Sequence, residues 1–149
     1  MKDYKLSVVV PSYNEEENVK VLAKRLTEVI HSMNVTNYEI IFVNDGSKDK
    51  TIENVKIMRE QDSHIHYISF SRNFGHQCAL RAGLDVATGD CVVSMDADMQ
   101  HPPEIIPQMV AKWQEGYDIV YTFCDLDSEK CDIENNKIVL KMHGQSMLN

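Results

Sequence analysis

The chain has 149 residues, of which 23 are acidic and 15 basic, giving a formal net charge of −8. This length suits one globular domain. No cluster of Lys and Arg could neutralise a run of phosphates, which excludes a nucleic-acid surface but permits a small ligand whose phosphates are held by a metal ion. No segment approaches the ~18 consecutive apolar residues of a membrane span, and residues 1–5 show no signal-peptide pattern. We therefore expect a cytoplasmic chain.

The four cysteines, Cys78, Cys91, Cys124 and Cys131, form no C-x-x-C motif and no paired spacing. In a chain of this size they are typical of small buried hydrophobic residues in a reducing compartment. A Cys124–Cys131 disulfide is the less favoured alternative.

Five short apolar runs predict β-strands. Each is rich in β-branched or aromatic residues and is bounded by polar or turn-forming residues, a pattern typical of strands buried on both faces. The strands are predicted at 6–10, 39–43, 66–70, 91–95 and 118–123.

Four helices are predicted between these strands. The first begins at a capping-box-like pair, Asn14 and Glu17, and continues with apolar residues at helical spacing. The third covers about 76–87, with Gly89 as its C-cap. The fourth, within 102–116, carries prolines in its first turn.

This alternation predicts an α/β fold with right-handed crossovers, a mostly parallel sheet and helices on both faces. With one reversal of winding, the strand order would be 3-2-1-4-5. Residues 1–123 would form this domain. Residues 124–149 are polar and lack a sustained period, so we expect a loosely packed or truncated segment.

The most informative cluster follows the fourth strand, where Asp96, Asp98 and Gln100 alternate with apolar residues. If the chain stays extended there, these side chains point the same way. Two close carboxylates repel each other, and a hard cation such as Mg²⁺ or Mn²⁺ relieves the repulsion while taking carboxylate and amide oxygens as ligands. The cluster therefore predicts a metal site, with two solvated acids in a turn as the alternative.

Polar loops also follow the first and second strands, at 11–15 and 44–47. In parallel α/β sheets, ligands bind beyond the carboxyl ends of strands where the winding reverses. The first loop has consecutive glutamates instead of the G-x-G-x-x-G of dinucleotide sites, so phosphate would have to be held by the metal. Tyr13 could stack on a base and Asp45 could accept from a base or ribose. The alternatives are that Tyr13 packs on the sheet edge and that 44–47 is a structural turn with Gly46 at positive φ.

Four motifs follow the predicted strands in chain order. They are VVPSYNE at 9–15, VNDGSKD at 43–49, RNFG at 72–75 and DADMQHP at 96–102. Together they resemble family 2 glycosyltransferases of the GT-A fold. The third motif, RNFG, narrows the resemblance to the dolichol-phosphate mannosyltransferase and undecaprenyl-phosphate glycosyltransferase branch. The resemblance covers about residues 5–123.

The resemblance implies a metal-dependent, inverting transferase with a UDP- or GDP-sugar donor and a polyprenyl phosphate acceptor. No residue is identified as a general base. The implied site residues are Pro11, Tyr13, Glu15, Asp45 and Asp96 around the donor, and Asp96, Asp98 and Gln100 on Mg²⁺ or Mn²⁺.

The C-terminal part departs from this pattern. Family members continue past the fifth strand with an arginine-bearing loop, an amphipathic helix and, in many, membrane helices, whereas no arginine follows Arg81 here. We therefore expect an incomplete acceptor side, and a complete protein at the membrane surface. The alternative is a non-catalytic nucleotide-sugar-binding or interaction module that kept the fold.

Overall fold

The computed structural model describes residues 3–120 and three short strands at 123–124, 131–132 and 140–142. Among these residues, no helix is both long enough and apolar enough to cross a membrane. The helices are α1 Val19–Ser32, α2 Thr51–Gln61, α3 His76–Val86 and α4 Ile106–Gln114, with a 3-10 turn, Pro103–Ile105, leading into α4. The strands are β1 Leu6–Ser12, β2 Tyr38–Asn44, β3 Ile65–Ser69, β4 Cys91–Ser94, β5 Phe123–Cys124, β6 Cys131–Asp132 and β7 Leu140–Met142.

One sheet has the order β3-β2-β1-β4-β7. Its first four strands run parallel to one another, and β7 runs antiparallel to β4. The predicted α/β fold, the mostly parallel sheet and the order of the first four strands are therefore confirmed.

The fifth predicted strand, 118–123, is wrong. Residues 117–120 form no strand, and Phe123–Cys124 pairs with Cys131–Asp132 in a separate two-stranded sheet. Val120 is 7% exposed and joins the core, so this apolar side chain is buried without strand pairing. Leu140–Met142 instead occupies the edge of the main sheet, although it comes from the segment predicted to be loosely packed. The domain boundary at 123 stays a prediction, because much of 124–149 lies outside the described residues.

Alternate residues of the strands serve two hydrophobic cores, one on each face of the sheet. On one face, Val8 and Phe42 belong to the larger core, to which α1, α2 and α4 contribute. On the other face, Val9 and Val43 pack with Ala79 of α3. Helices therefore cover both faces, as predicted.

α3 lies very close to the sheet, and Gly83 makes this possible. A Cβ at Gly83 would lie 2.3 Å from Cγ1 of Val9 and 3.1 Å from Cγ2 of Val43. A larger residue would push the helix outward, because a packed core does not absorb an added methyl group without strain. The close packing fixes the first turn of α3 relative to the carboxyl ends of the strands.

Two predicted helix caps are wrong. α1 begins at Val19 rather than after Asn14, and Asn14 has a φ of 51° and a side chain that accepts a hydrogen bond from another loop. Gly89 lies beyond the C-cap of α3, and its N–H donates to Oγ of Ser7 at 2.8 Å. Both residues therefore make contacts that are distant in sequence, which local cap patterns do not reveal.

A buried glutamate ties the amino ends of the strands together. Glu39 is 7% exposed, and its Oε1 accepts hydrogen bonds from Ser7 Oγ at 2.7 Å and Thr88 N at 2.8 Å. Lys5 Nζ lies 3.6 Å from Oε2. Burial raises the pKa of Glu39, but the hydrogen bonds from Thr88 and Ser7 outweigh it, and the pKa is lowered. The ionised carboxylate is therefore part of the fold.

We expect Glu39→Ala to lower the free energy of unfolding by about 2–3 kcal/mol, because buried donors on Ser7 and Thr88 lose their acceptor. Glu39→Gln keeps an acceptor oxygen and should cost less. Because the folded-state pKa is lowered, the stabilisation is complete above the ordinary value of 4.5 and is lost as pH falls through the lowered value.

Urea unfolding of both variants at neutral and acidic pH would measure these effects. Glu60→Ala, at an exposed position near the end of α2, is the matched control. Equal stability of Glu39→Ala and the parent chain at neutral pH would contradict the prediction.

Candidate functional site

The candidate site lies where β1 and β4 part. Their pairing ends at Val9 and Ser94, after which Met95 N–H still donates to the Val9 carbonyl at 3.0 Å. β1 continues beside β2 to Ser12. Because alternate residues of a parallel strand bond to opposite neighbours, Pro11 faces the side on which β4 has ended, and its missing N–H costs no ladder bond. A crevice therefore opens beside Pro11.

The loop after β1 is tied to the loop after β2 by hydrogen bonds in both directions. Asn14 makes this possible because its side chain is short and polar and tolerates the left-handed φ of 51°. The two loops therefore fix each other's shape. The bonds run from Asn14 N to Ser47 Oγ (3.0 Å), Lys48 N to Asn14 Oδ1 (2.9 Å), Glu15 N to Thr51 Oγ1 (2.9 Å), Glu16 N to Asp49 Oδ2 (3.2 Å) and Lys50 N to Glu16 Oε2 (3.2 Å).

The structural turn at 44–47 is confirmed. Asn44 Oδ1 accepts from Ser47 N–H at 3.1 Å, and Gly46 has a φ of 68°. A Cβ at Gly46 would lie 2.2 Å from the carbonyl carbon of Arg72. Glycine is therefore required at position 46 for two reasons: the positive φ and the close approach of the Arg72 backbone.

Asp45 joins the second loop to the loop after β3. It is 3% exposed, and its Oδ1 accepts from Phe74 N–H at 2.8 Å. Asn73 Nδ2 lies 3.2 Å from Oδ2 and from the Asp45 carbonyl oxygen. The carboxylate therefore holds the 72–75 loop in place, a role that sequence reasoning did not assign to it.

The segment after β4 does not stay extended, so the expectation that Asp96, Asp98 and Gln100 alternate along an extended chain is wrong. Their assignment as metal ligands stays a prediction. The chain turns at 97–99, where Met99 has a φ of 64°. Asp98 Oδ1 accepts the N–H of Gln100 at 3.1 Å within this turn. Asp96 and Asp98 line the cleft, whereas Gln100 is not among its lining residues. Gln100 is therefore the one predicted metal ligand outside the cleft lining.

His76, the first residue of α3, is a site residue that sequence reasoning missed. Its Nε2 lies 2.7 Å from Oδ1 of Asp96, and both side chains remain open to solvent at 55% and 42% exposure. A lone histidine at a helix start carries no sequence signal for this contact. The expectation that 76–87 forms a helix after the RNFG motif did place it near the carboxyl ends of the strands.

These residues surround one cleft of about 190 Å³. Tyr13 is 42% exposed and lines it, which excludes the alternative that the ring is packed away on the sheet edge. The structure thus brings together all the residues that were predicted to surround the nucleotide-sugar donor, and both predicted metal-binding carboxylates, Asp96 and Asp98. The lining residues are Pro11, Ser12, Tyr13, Glu15, Asp45, His76, Ala79, Asp96, Ala97 and Asp98.

The carboxylates of Asp96 and Asp98 suit a hard cation that is coordinated partly by the protein and partly by a bound ligand. Two carboxylates line the same cleft, but the described residues contain no group of three or more His, Cys, Asp or Glu side chains that could hold a metal alone. Mg²⁺ commonly binds through one or two carboxylates, with substrate phosphates and water completing its shell. Asp96 and Asp98 suit that arrangement better than a closed protein site.

His101, Cys78 and Cys91 are not part of the cleft lining. Within the described part of the chain, His101 Nδ1 is the one buried side-chain nitrogen or oxygen without a hydrogen-bond partner. Cys91 is buried, and burial raises the pKa of its thiol to about 12, as expected for an inert core residue. Cys78 is exposed, so the expectation of a buried thiol is wrong there. The side chains of Cys124 and Cys131 lie outside the described residues, although the strand register sets the two opposite each other.

Two solved structures share this fold. The mannosyltransferase PcManGT from Pyrobaculum calidifontis, in complex with GDP-Man and Mn²⁺, matches with a TM-score of 0.66 at 24% identity, over 80% of this chain and 34% of its own. The glucosyl-3-phosphoglycerate synthase from Mycobacterium tuberculosis, in complex with Mn²⁺, UDP and glucosyl-3-phosphoglycerate, matches with a TM-score of 0.60 at 25% identity, over 78% and 42%. The fold is that of GT-A glycosyltransferases.

Sequence relatives agree with the fold. An undecaprenyl-phosphate 4-deoxy-4-formamido-L-arabinose transferase from Salmonella choleraesuis is 44% identical over 119 residues, which make up 79% of this chain and 36% of the relative. The chain spans about a third of the length of the curated relatives that it matches at 42–52% identity. Residues 7–144 match the family model described as glycosyl transferase family 2, and the chain belongs to that family.

Proposed function

We propose that the cleft binds a UDP- or GDP-sugar together with Mg²⁺ or Mn²⁺, and that the sugar is transferred with inversion to a polyprenyl phosphate. The observation that carries this proposal is the division of the cleft. Among the lining residues, Tyr13 and Asp45 follow β1 and β2, whereas Asp96 and Asp98 follow β4 on the other side of β1 from β2. This division suits a nucleoside and a metal-bound diphosphate. The relative that transfers a sugar to undecaprenyl phosphate supports the acceptor class.

The nucleoside would lie on the β1–β2 side. The exposed ring of Tyr13 offers a stacking surface for a base, an interaction worth about 1–3 kcal/mol per base in nucleic-acid complexes. A carboxylate has about four acceptor positions, so Asp45 can accept from the base or ribose while its bonds to Asn73 and Phe74 persist. Glu15 is held by Asn18 Nδ2 at 2.7 Å, which fixes a second acceptor beside Tyr13.

The diphosphate would lie on the β4 side, where it needs a bridging cation. Carboxylates repel phosphate, so Asp96 and Asp98 bind the diphosphate only through such an ion. A bound Mg²⁺ or Mn²⁺ would supply positive charge that stabilises the departing nucleoside diphosphate. Gln100 stays a predicted ligand, although it is not among the residues that line the cleft.

Transfer would follow from positioning. An oxygen of the acceptor phosphate forms a bond to the anomeric carbon while the bond from that carbon to the diphosphate oxygen breaks. The leaving nucleoside diphosphate takes the electron pair, and the anomeric configuration inverts. A phosphate acceptor is already anionic and therefore needs little help from a general base.

We expect UDP or GDP to raise the melting temperature in the presence of Mn²⁺ or Mg²⁺, and neither nucleotide to do so with EDTA. A ligand at ~100 times its dissociation constant contributes about 2.7 kcal/mol, which for a domain of this size corresponds to a shift on the order of 5–10 °C. Thermal-shift assays with millimolar nucleotide would test this. If neither UDP nor GDP shifts the melting temperature, the proposal of a nucleotide-sugar donor site is wrong.

Turnover separates transfer from binding alone. Release of UDP or GDP from the sugar nucleotide, dependent on polyprenyl phosphate, supports the transferase. Metal-dependent binding without release fits both a non-catalytic nucleotide-sugar-binding module and a transferase with the incomplete acceptor side that the sequence leads us to expect.

Asp98→Asn should abolish the metal-dependent part of that shift and leave the unliganded melting temperature unchanged or slightly higher. The amide oxygen can still accept from Gln100 N–H, while the repulsion between two carboxylates is removed. Asp118→Asn, at an exposed position outside the cleft lining, serves as the control. A large loss of unliganded stability in Asp98→Asn would make Asp98 a structural residue instead.

A further inference from the structure

We propose that His76 is a positioning residue for Asp96, and that Asp45 sets the position of His76 through the 72–75 loop. The inference rests on the proposed function, because it concerns how Asp96 is prepared for the metal. It also assigns a role to the RNFG motif, which the donor site leaves without one. The two halves of the cleft would then be connected by protein as well as by the ligand.

The contact between His76 and Asp96 leaves room for a ligand. An ionised carboxylate only accepts hydrogen bonds, so His76 Nε2 is the donor across the 2.7 Å contact to Oδ1. This bond uses one acceptor position and leaves Oδ2 of Asp96 free of it. A carboxylate that binds a metal is commonly oriented in this way by a second hydrogen bond.

The loop that carries His76 is fixed from the other side of the cleft. Asp45 receives the N–H of Phe74 and the amide of Asn73 on its two carboxylate oxygens. Gly75 has a φ of 101°, a conformation that allows α3 to begin at His76 directly after the loop. A displacement of the loop would therefore move the imidazole away from Asp96.

Aromatic packing stiffens the same loop. The Arg72 guanidinium carbon lies 4.1 Å from the centroid of the Phe74 ring, and Phe74 packs edge-on against Phe70 at 5.5 Å. Phe74 is nevertheless 45% exposed, so this packing contributes little burial. Its effect is to restrict the loop at the point where the backbone N–H of Phe74 meets Asp45.

The exposure of the His76–Asp96 pair separates positioning from stability. Ion pairs between solvent-exposed side chains contribute little to folding. Removing the imidazole should therefore leave the melting temperature nearly unchanged and alter the geometry of Asp96. Metal affinity is the property that reports this change.

The test is Mn²⁺ binding, measured by the electron paramagnetic resonance signal of free Mn²⁺ with and without UDP or GDP. We expect His76→Ala to weaken Mn²⁺ binding about 10-fold or more, with an unchanged melting temperature for the unliganded chain. His76→Gln can place a donor near the same point and should recover most of the affinity. Gln77→Ala, on the same helical turn but outside the cleft lining, should bind as the parent chain does.

Gly75→Ala tests the loop separately. Apart from the adjoining residues, no atom would lie within 4 Å of a Cβ there, so the substitution acts through the strained φ. We expect it to weaken Mn²⁺ binding while the cleft side chains are retained.

The outcomes distinguish this inference from the proposed function. If the parent chain binds no Mn²⁺ under any of these conditions, the proposed function and the inference both fail. If the parent chain binds Mn²⁺ and His76→Ala binds it equally well, the inference alone fails. It also fails if His76→Gln is as weak as His76→Ala, because the hydrogen bond would then not be the cause.

Discussion

The shortness of the pairing between β1 and β4 is the constraint on which the rest of the site depends. The two strands are hydrogen-bonded only as far as Val9 and Ser94, while β1 continues beside β2 to Ser12. The next residue of β1 whose backbone faces β4 is Pro11, which has no N–H to satisfy. At Pro11, where the crevice opens, β1 therefore stops pairing with β4 without leaving an unsatisfied N–H group of its own.

Loops that border such a crevice need support from each other, because no strand holds them. The side chains of Asn14 and Glu16 accept hydrogen bonds from backbone N–H groups that follow β2, and Asp45 accepts one from the loop after β3. Each link joins residues distant in sequence and costs chain entropy to form. Together they give the cleft a shape before any ligand arrives, which reduces the ordering cost of binding.

The sequence predicted the elements that depend on local pattern. β1 and β2 are apolar runs buried on both faces, and the apolar residues of α1 recur at helical spacing, so period and composition were sufficient. Val120 shows the limit of this reasoning, because an apolar side chain can be buried without its backbone joining a sheet. The antiparallel edge strand at 140–142 was not predicted, because hydrophobic periodicity does not indicate which distant segment pairs with β4.

The candidate site was predictable to a similar extent. Asp45 and Asp96 became candidates because they directly follow buried parallel strands, whose carboxyl ends meet at one edge of the sheet. The contact of His76 with Asp96 spans 20 residues and depends on how closely α3 packs on the sheet. Gly83 determines that packing, yet a glycine within a helix pattern predicts only a weaker helix. The role of His76 was therefore not predicted, because it depends on tertiary packing that the local sequence pattern does not reveal.

The carboxylates on the two sides of the cleft differ in burial and in how their negative charge is compensated. On the β2 side, Asp45 is buried and its charge is compensated by donors from the 72–75 loop, so it contributes shape whether or not a ligand is present. On the β4 side, Asp96 and Asp98 remain partly exposed, and one oxygen of each accepts a hydrogen bond from the protein. Water screens their mutual repulsion in the free chain. A ligand that excludes water from the cleft would remove that screening, and a diphosphate would add further negative charge. Under the proposed function, donor and cation would therefore bind at the carboxylates together, and this electrostatic requirement would couple nucleotide binding to metal binding.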